Sequence, residues 1–226
     1  WRFPSAGPVA AGPVVSSANT VIVGEVGPER VGSHPSVYAL DGRTGALLWK
    51  LSSTGAWYGS AVIAIDNRLY IGGADGLAYA MDVSAGRMIW ASSVPFGVSS
   101  TGTVAFSGLV YFGSFGGKLL AFDMIDGSRR WSFDAGGAIY SAPAVDPDGV
   151  LYFGSVDGYF YSLDARSGQM RWRAPVGAPI YASPTIDCAG SAYVGTDGGA
   201  LLAFEASTGT QKWVYRTGAM INSSVA

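Results

Sequence analysis

The sequence predicts an all-β chain assembled from tandem units of 41 residues, and three observations carry that prediction. Trp49, Trp90, Trp131, Trp172 and Trp213 stand 41 residues apart. Eight residues before each lies an acid (Asp41, Asp82, Asp123, Asp164, Glu205), and four before lies a glycine (Gly45, Gly86, Gly127, Gly168, Gly209). Short runs rich in Val, Ile, Tyr and Phe alternate with Gly- and Asp-bearing turns, with no helical period between them.

Other columns keep the same phase. Nine residues before each Trp is a large apolar residue: Leu40, Met81, Phe122, Leu163 or Phe204. Tyr70, Tyr111, Tyr152 and Tyr193 lie twenty before, each followed two residues later by glycine (Gly72, Gly113, Gly154, Gly195). Trp1 precedes Trp49 by one period plus seven, and Trp57 is the one tryptophan off the ladder.

Residues 180–216 show how one unit divides. Ile180–Ile186 suits an inner strand, Ser191–Gly195 a second, Leu201–Phe204 a third and Gln211–Tyr215 a fourth. Turn signals at Asp187–Gly190, Asp197–Gly199 and Glu205–Gly209 separate them. The ladder glycine is expected at positive φ, and the acid is expected to accept turn N–H groups. The ladder tryptophans are expected to be structural, wedged between neighbouring sheets with the indole N–H on a backbone acceptor. About forty residues and four strands per unit favour a β-propeller over a sandwich or a single barrel. Complete blades are expected at about 8–49, 58–90, 99–131, 140–172 and 181–213, with partial terminal strands at 1–3 and 220–226. On this reading residues 1–226 form one propeller or a contiguous part of a larger one.

Composition excludes several function classes. Lys and Arg total 14 against 16 acids, a net charge of −2, so there is no basic field for nucleic acid. Cys188 is the single cysteine, which rules out an internal disulfide and any paired-cysteine metal motif. His34 is the single histidine, which rules out a histidine-rich metal centre. No apolar run reaches the roughly 20 residues of a membrane helix. Gly113-Ser114-Phe115-Gly116-Gly117 is glycine-rich, but no helix follows, so it reads as a turn and not as a phosphate loop. The chain begins at Trp1 and is read as a processed product or an excised region.

The run Ala39-Leu40-Asp41-Gly42-Arg43-Thr44-Gly45-Ala46-Leu47-Leu48-Trp49, with its counterparts at Ala80–Trp90, Ala121–Trp131, Ser162–Trp172 and Ala203–Trp213, resembles the tryptophan docking motif of PQQ-repeat propellers. Asp146 to Gly158 resembles the second and third strands of such a blade. The resemblance implies one of three functions: a scaffold of the outer-membrane assembly lipoprotein kind, a quinoprotein oxidoreductase, or a sensor ectodomain. It also implies a periplasmic, cell-surface or extracellular location. A quinoprotein would use PQQ with calcium, and many relatives stack the quinone on a disulfide of adjacent cysteines, which one cysteine cannot form. No cofactor and no catalytic residue are therefore expected. The favoured reading is a non-catalytic module with protein partners, no nucleic acid and no membrane span in this chain.

Binding residues are sought where a column varies. Nine residues after each Trp stand Ala10, Tyr58, Ser99, Tyr140, Tyr181 and Asn222. They open the inner strand, so Tyr58, Ser99, Tyr140, Tyr181 and Asn222 are expected to rim one mouth of a central channel. The insertion containing Pro28-Glu29-Arg30 is a second departure from the repeat, of the kind that can meet a partner, and is read first as ordinary loop drift.

Overall fold

A computed structural model of the chain describes residues 1–9, 11–27 and 34–224. Ala10, the insertion at Pro28-Glu29-Arg30 and the end of the 220–226 run lie outside the described residues.

The described residues form five four-stranded antiparallel sheets, each with its strands in sequence order. In the fourth sheet the strands are Ala144–Val145, Val150–Gly154, Tyr159–Asp164 and Met170–Pro175. The first strand is only two residues long, shorter than the inner strand read from Ile180–Ile186. In the fifth sheet only Thr185–Ile186 pairs, and residues 180–184 form the connector. The two middle strands carry most of the apolar burial. Val150–Gly154 is buried throughout, whereas the fourth strand is largely exposed. A bulge recurs between the third and fourth strands of every sheet, as at Ser162/Leu163 and Ala203/Phe204. Such a bulge adds local twist, which lets successive sheets splay like blades.

One latch joins each sheet to the next. The indole N–H of Trp49 donates to Val83 O at 2.7 Å, Trp90 to Met124 O at 3.2 Å, Trp131 to Ala165 O at 3.1 Å and Trp172 to Ala206 O at 2.9 Å. Each acceptor is the residue after the acid of the following unit. The indole lies on that unit's ladder glycine, which has positive φ: at Gly168 a Cβ would sit 2.6 Å from Trp131 Cδ2. Glycine is thus needed twice at this corner, for the left-handed backbone and for the ring above it. Tyr111 donates to the same carbonyl as Trp131, at 3.0 Å. Trp1 makes the equivalent contact on the first sheet, donating to Gly42 O at 3.0 Å over Gly45. Trp213 is 44% exposed. Five four-stranded blades locked edge to edge in this way make an all-β propeller architecture.

Beneath the N-terminal segment lies a buried carboxylate. Glu25 is 1% exposed and accepts from Gly7 N and Tyr38 Oη (both 2.9 Å to Oε1) and from Ser36 N (2.9 Å to Oε2). Three donors offset the cost of removing that charge from water and tie residues before the first strand to the first blade.

Candidate functional site: an aromatic arc at one mouth of the blades

The residues of the varying column are set in place by their predecessors. Trp57, Val98, Ile139, Ile180 and Ile221 each stand one position earlier. The first four are buried to 0% exposure. Each donates its backbone N–H to the preceding blade: Trp57 to Glu25 O, Val98 to Gly73 O, Ile139 to Ser114 O, Ile180 to Ser155 O and Ile221 to Thr196 O, all at 3.0–3.1 Å. The side chains fill space left open by a glycine on the second strand. At Gly113 a Cβ would lie 2.6 Å from Ile139 Cγ2, and at Gly154 2.0 Å from Ile180 Cγ2. The second-strand glycine column therefore exists to seat the connector. Trp57, off the ladder by sequence, belongs to this anchoring column and packs over Gly24.

With the anchors fixed, the next residue is a partly exposed tyrosine in three of the connectors. Tyr58, Tyr140 and Tyr181 are 51%, 40% and 37% exposed. Tyr140 and Tyr181 are in direct contact, with ring centroids 5.4 Å apart. Ser99 does not line the rim: it is buried, and its hydroxyl turns inward to donate to Ile139 O at 2.6 Å. Its place is taken by Phe115, from the turn between the second and third strands of the same blade. Phe115 meets Tyr58 at 5.6 Å and Tyr140 at 5.7 Å, both edge to face. Tyr58, Phe115, Tyr140 and Tyr181 thus form a continuous arc across four blades. Asn222 is exposed, and no contact joins it to the arc among the described residues.

Beside the arc is a residue that column reading passes over. Phe96 is 75% exposed and has φ +67°, in a turn closed by Gly97 N donating to Val94 O at 3.1 Å. Pro95 occupies the first corner and Phe96 the second, a position that normally takes glycine. Holding a bulky residue there costs about 1–3 kcal/mol. Its ring lies on Gly116, where a Cβ would come within 2.2 Å of Phe96 Cδ2, next to Phe115.

Two of the acids at this mouth, Asp75 and Asp157, are engaged. Asp157 accepts from Tyr161 Oη at 2.5 Å, Tyr159 N at 3.0 Å and Gly136 N at 2.8 Å. Burial, and then the bond to Asp157, pushes the Tyr161 hydroxyl up to about 12. Asp75 plays the same part for Tyr79 Oη at 2.6 Å and Leu77 N at 3.2 Å. On the opposite mouth the ladder acids cap turns. Asp164 accepts from Ser167 N and Oγ at 2.8 and 2.7 Å, and those bonds, the hydroxyl first, hold its carboxyl below the ordinary range. Glu205 departs from this pattern and pairs with Lys212 Nζ at 2.9 Å. Cys188 is exposed at a turn tip on that side, and His34 is exposed. Among the described residues no three His, Cys, Asp or Glu side chains converge as a metal ligand set.

The blades, the indole latch and the open mouth define a protein class, the PQQ-type β-propeller. The sequence matches the family model described as outer membrane protein assembly factor BamB over residues 1–138 and 126–226, and the chain belongs to that family. Among curated proteins none matches the sequence.

Solved structures share the fold at low identity. BamB from Moraxella catarrhalis is 18% identical with a TM-score of 0.78, over 96% of this chain and 67% of that one. The computationally designed Ika8 protein is 16% identical with a TM-score of 0.80, over 95% and 64%. The quinohemoprotein alcohol dehydrogenase ADHIIG from Pseudomonas putida HK5 is 17% identical with a TM-score of 0.76, over 96% and 43%. The chain therefore spans about two thirds of the first of these proteins and less of the others.

Proposed function

We propose that this chain is a non-catalytic, protein-binding propeller module that works outside the cytoplasm and holds a partner segment against its aromatic arc. One observation carries the reading: four rings from four blades stand in a continuous, partly exposed row, and buried residues pin the tyrosines among them. Exposed aromatic side chains on rigid backbone give large contact area at small entropic cost, which is what a recognition surface needs. Membership of a family described as an outer membrane assembly factor supports a protein as the partner and the periplasm as the compartment. The purified chain and its Tyr140→Ser variant are applied to an array of immobilised random twelve-residue peptides. The wild type is expected to retain a subset that the variant releases. Equal retention by both proteins, or dye reduction that depends on added PQQ and calcium, would overturn the proposal.

A further inference from the structure

We infer that the Tyr140–Tyr181 end of the arc takes a positively charged side chain, a guanidinium or ammonium head carried by a basic segment of the partner protein; this deepens the protein-binding reading above and rests on it. Charge is the first reason. The connectors between sheets, residues 53–61, 94–102, 135–143 and 176–184, contain no charged residue. The turns between the second and third strands of the second to fifth sheets, residues 73–76, 114–117, 155–158 and 196–199, contain Asp75, Asp157 and Asp197 and no Lys, Arg or His. The matching turn of the first sheet falls partly outside the described residues. Cations at this end of the sheets stand on strands: Lys118 pairs with Asp134, and Arg173 lies over the Tyr159 ring at 4.7 Å. Arg216 ends the outer strand of the fifth sheet and forms no ion pair with Asp197.

The second reason is an unused carboxylate beside the rings. Asp75 and Asp157 stand third in their turns, and each holds a tyrosine hydroxyl and a turn N–H, as described above. Asp197 stands second in its turn, in the place that Phe115 holds in the third sheet, and its own sheet has Leu202 where the others have Tyr79 and Tyr161. Its carboxylate accepts no hydrogen bond and joins no ion pair among the described residues. Its backbone N–H donates to Pro179 O at 2.9 Å, as Phe115 N donates to Gly97 O at 3.2 Å. That bond fixes Asp197, which is partly exposed, against the connector that carries Tyr181.

Tyrosine faces attract cations through the ring quadrupole, and a neighbouring carboxylate adds a charge-assisted hydrogen bond. Tyr140 and Tyr181 supply two partly exposed rings 5.4 Å apart, and Asp197 supplies the carboxylate. An anionic occupant would meet carboxylates with no cation on the connectors or these turns to offset them. A sugar is oriented by several directed hydrogen bonds. The connector hydroxyls are turned to the backbone: Ser99 donates to Ile139 O and Ser141 to Gly154 O, and Ser183 accepts from Ala142 N. One free carboxylate beside two rings suits a compact positive charge better than a polyol.

The test is fluorescence polarisation with a fluorescein-labelled nonapeptide of Gly-Arg-Ser repeats, against the same peptide with citrulline, a neutral isostere, in place of arginine. The proteins are wild type, Asp197→Asn, Tyr140→Ala and Asp148→Asn, the last an exposed acid in a turn at the opposite end of the blades. The arginine peptide is expected to bind about ten-fold more tightly than the citrulline peptide. Asp197→Asn and Tyr140→Ala are each expected to weaken it about five-fold or more, and Asp148→Asn to leave it unchanged. The Tm of Asp197→Asn is expected to stay within about 1 °C of wild type, because the carboxylate holds no bond in the fold. Full affinity in Asp197→Asn overturns the inference, as does an equal loss in Asp148→Asn, which would mark attraction to net charge alone. If peptides bind in a Tyr140-dependent manner with no preference for arginine over citrulline, this inference fails and the protein-binding reading stands. If no peptide of any composition binds, both fail.

Discussion

The blade latch can be taken apart by substituting two glycines in one blade. Gly149 and Gly168 have nearly the same backbone angle, φ +77° and +72°. Their surroundings differ: a Cβ on Gly149 meets nothing within 4 Å, whereas one on Gly168 lies 2.6 Å from Trp131 Cδ2 and 2.7 Å from Cε3. Gly149→Ala therefore isolates the left-handed backbone cost, about 1 kcal/mol. Gly168→Ala adds displacement of the indole by about 1 Å to reach ordinary carbon contact. That shift gives up the N–H bond to Ala165 O, worth about 1 kcal/mol, together with ring packing, for a total near 3 kcal/mol. Once the ring is gone, in Trp131→Ala, Gly168→Ala should cost only what Gly149→Ala costs. The expected coupling is about 2 kcal/mol, read from urea unfolding of the two single variants and the double variant at unchanged slope. Additivity of Trp131→Ala and Gly168→Ala within about 0.5 kcal/mol would refute the latch as the cause of the glycine column.

Three further outcomes follow from the hydrogen bonding. Glu25→Ala removes an acceptor from Gly7 N, Ser36 N and Tyr38 Oη and is expected to destabilise by about 3 kcal/mol in urea, with faster proteolysis within residues 1–9; a change under about 0.5 kcal/mol contradicts the tether. Tyr161 titrates near 10 when unfolded and about 12 when folded, so its contribution is complete below pH 10 and lost as pH rises to 12; Tyr161→Phe should flatten the stability profile across that window in alkaline urea titrations. Asp164 has a folded pKa below its unfolded value near 3.8, so its contribution is complete above that value and is lost as pH falls through the folded one. Asp164→Asn should weaken the acid dependence of unfolding, and an unchanged acid limb would show that Ser167 does not stabilise the ionised form.

The fold was legible because its causes repeat at a fixed distance. A ring, the glycine beneath it and the acceptor carbonyl are tied by one interblade geometry, so the 41-residue period carries that geometry into the sequence. The site was only partly legible. Tyr140 and Tyr181 share a column and touch. Ser99 shares the same column but has no ring, and its short side chain satisfies its hydroxyl inward on Ile139 O. Phe115 fills the gap from a different column, a coincidence in space that no period encodes. Phe96 was hidden for the opposite reason, since its backbone contradicts the preference of its residue type and turn chemistry would assign that corner to glycine. The acid column was read as one role, but the longer side chain of Glu205 reaches Lys212 in place of its own turn.

Near-identical fasteners pose a problem of order while the chain folds. Any indole of the series is chemically suited to any ladder glycine, so selectivity must come from tethering: adjacent blades are joined by short connectors such as residues 176–184, which give the neighbouring glycine a far higher effective concentration than one two blades away. Assembly by successive neighbours is then the fast route. Lengthening a connector should slow refolding by admitting mismatched closures, and the finished molecule should resemble a row of like dominoes, each propped chiefly by the next.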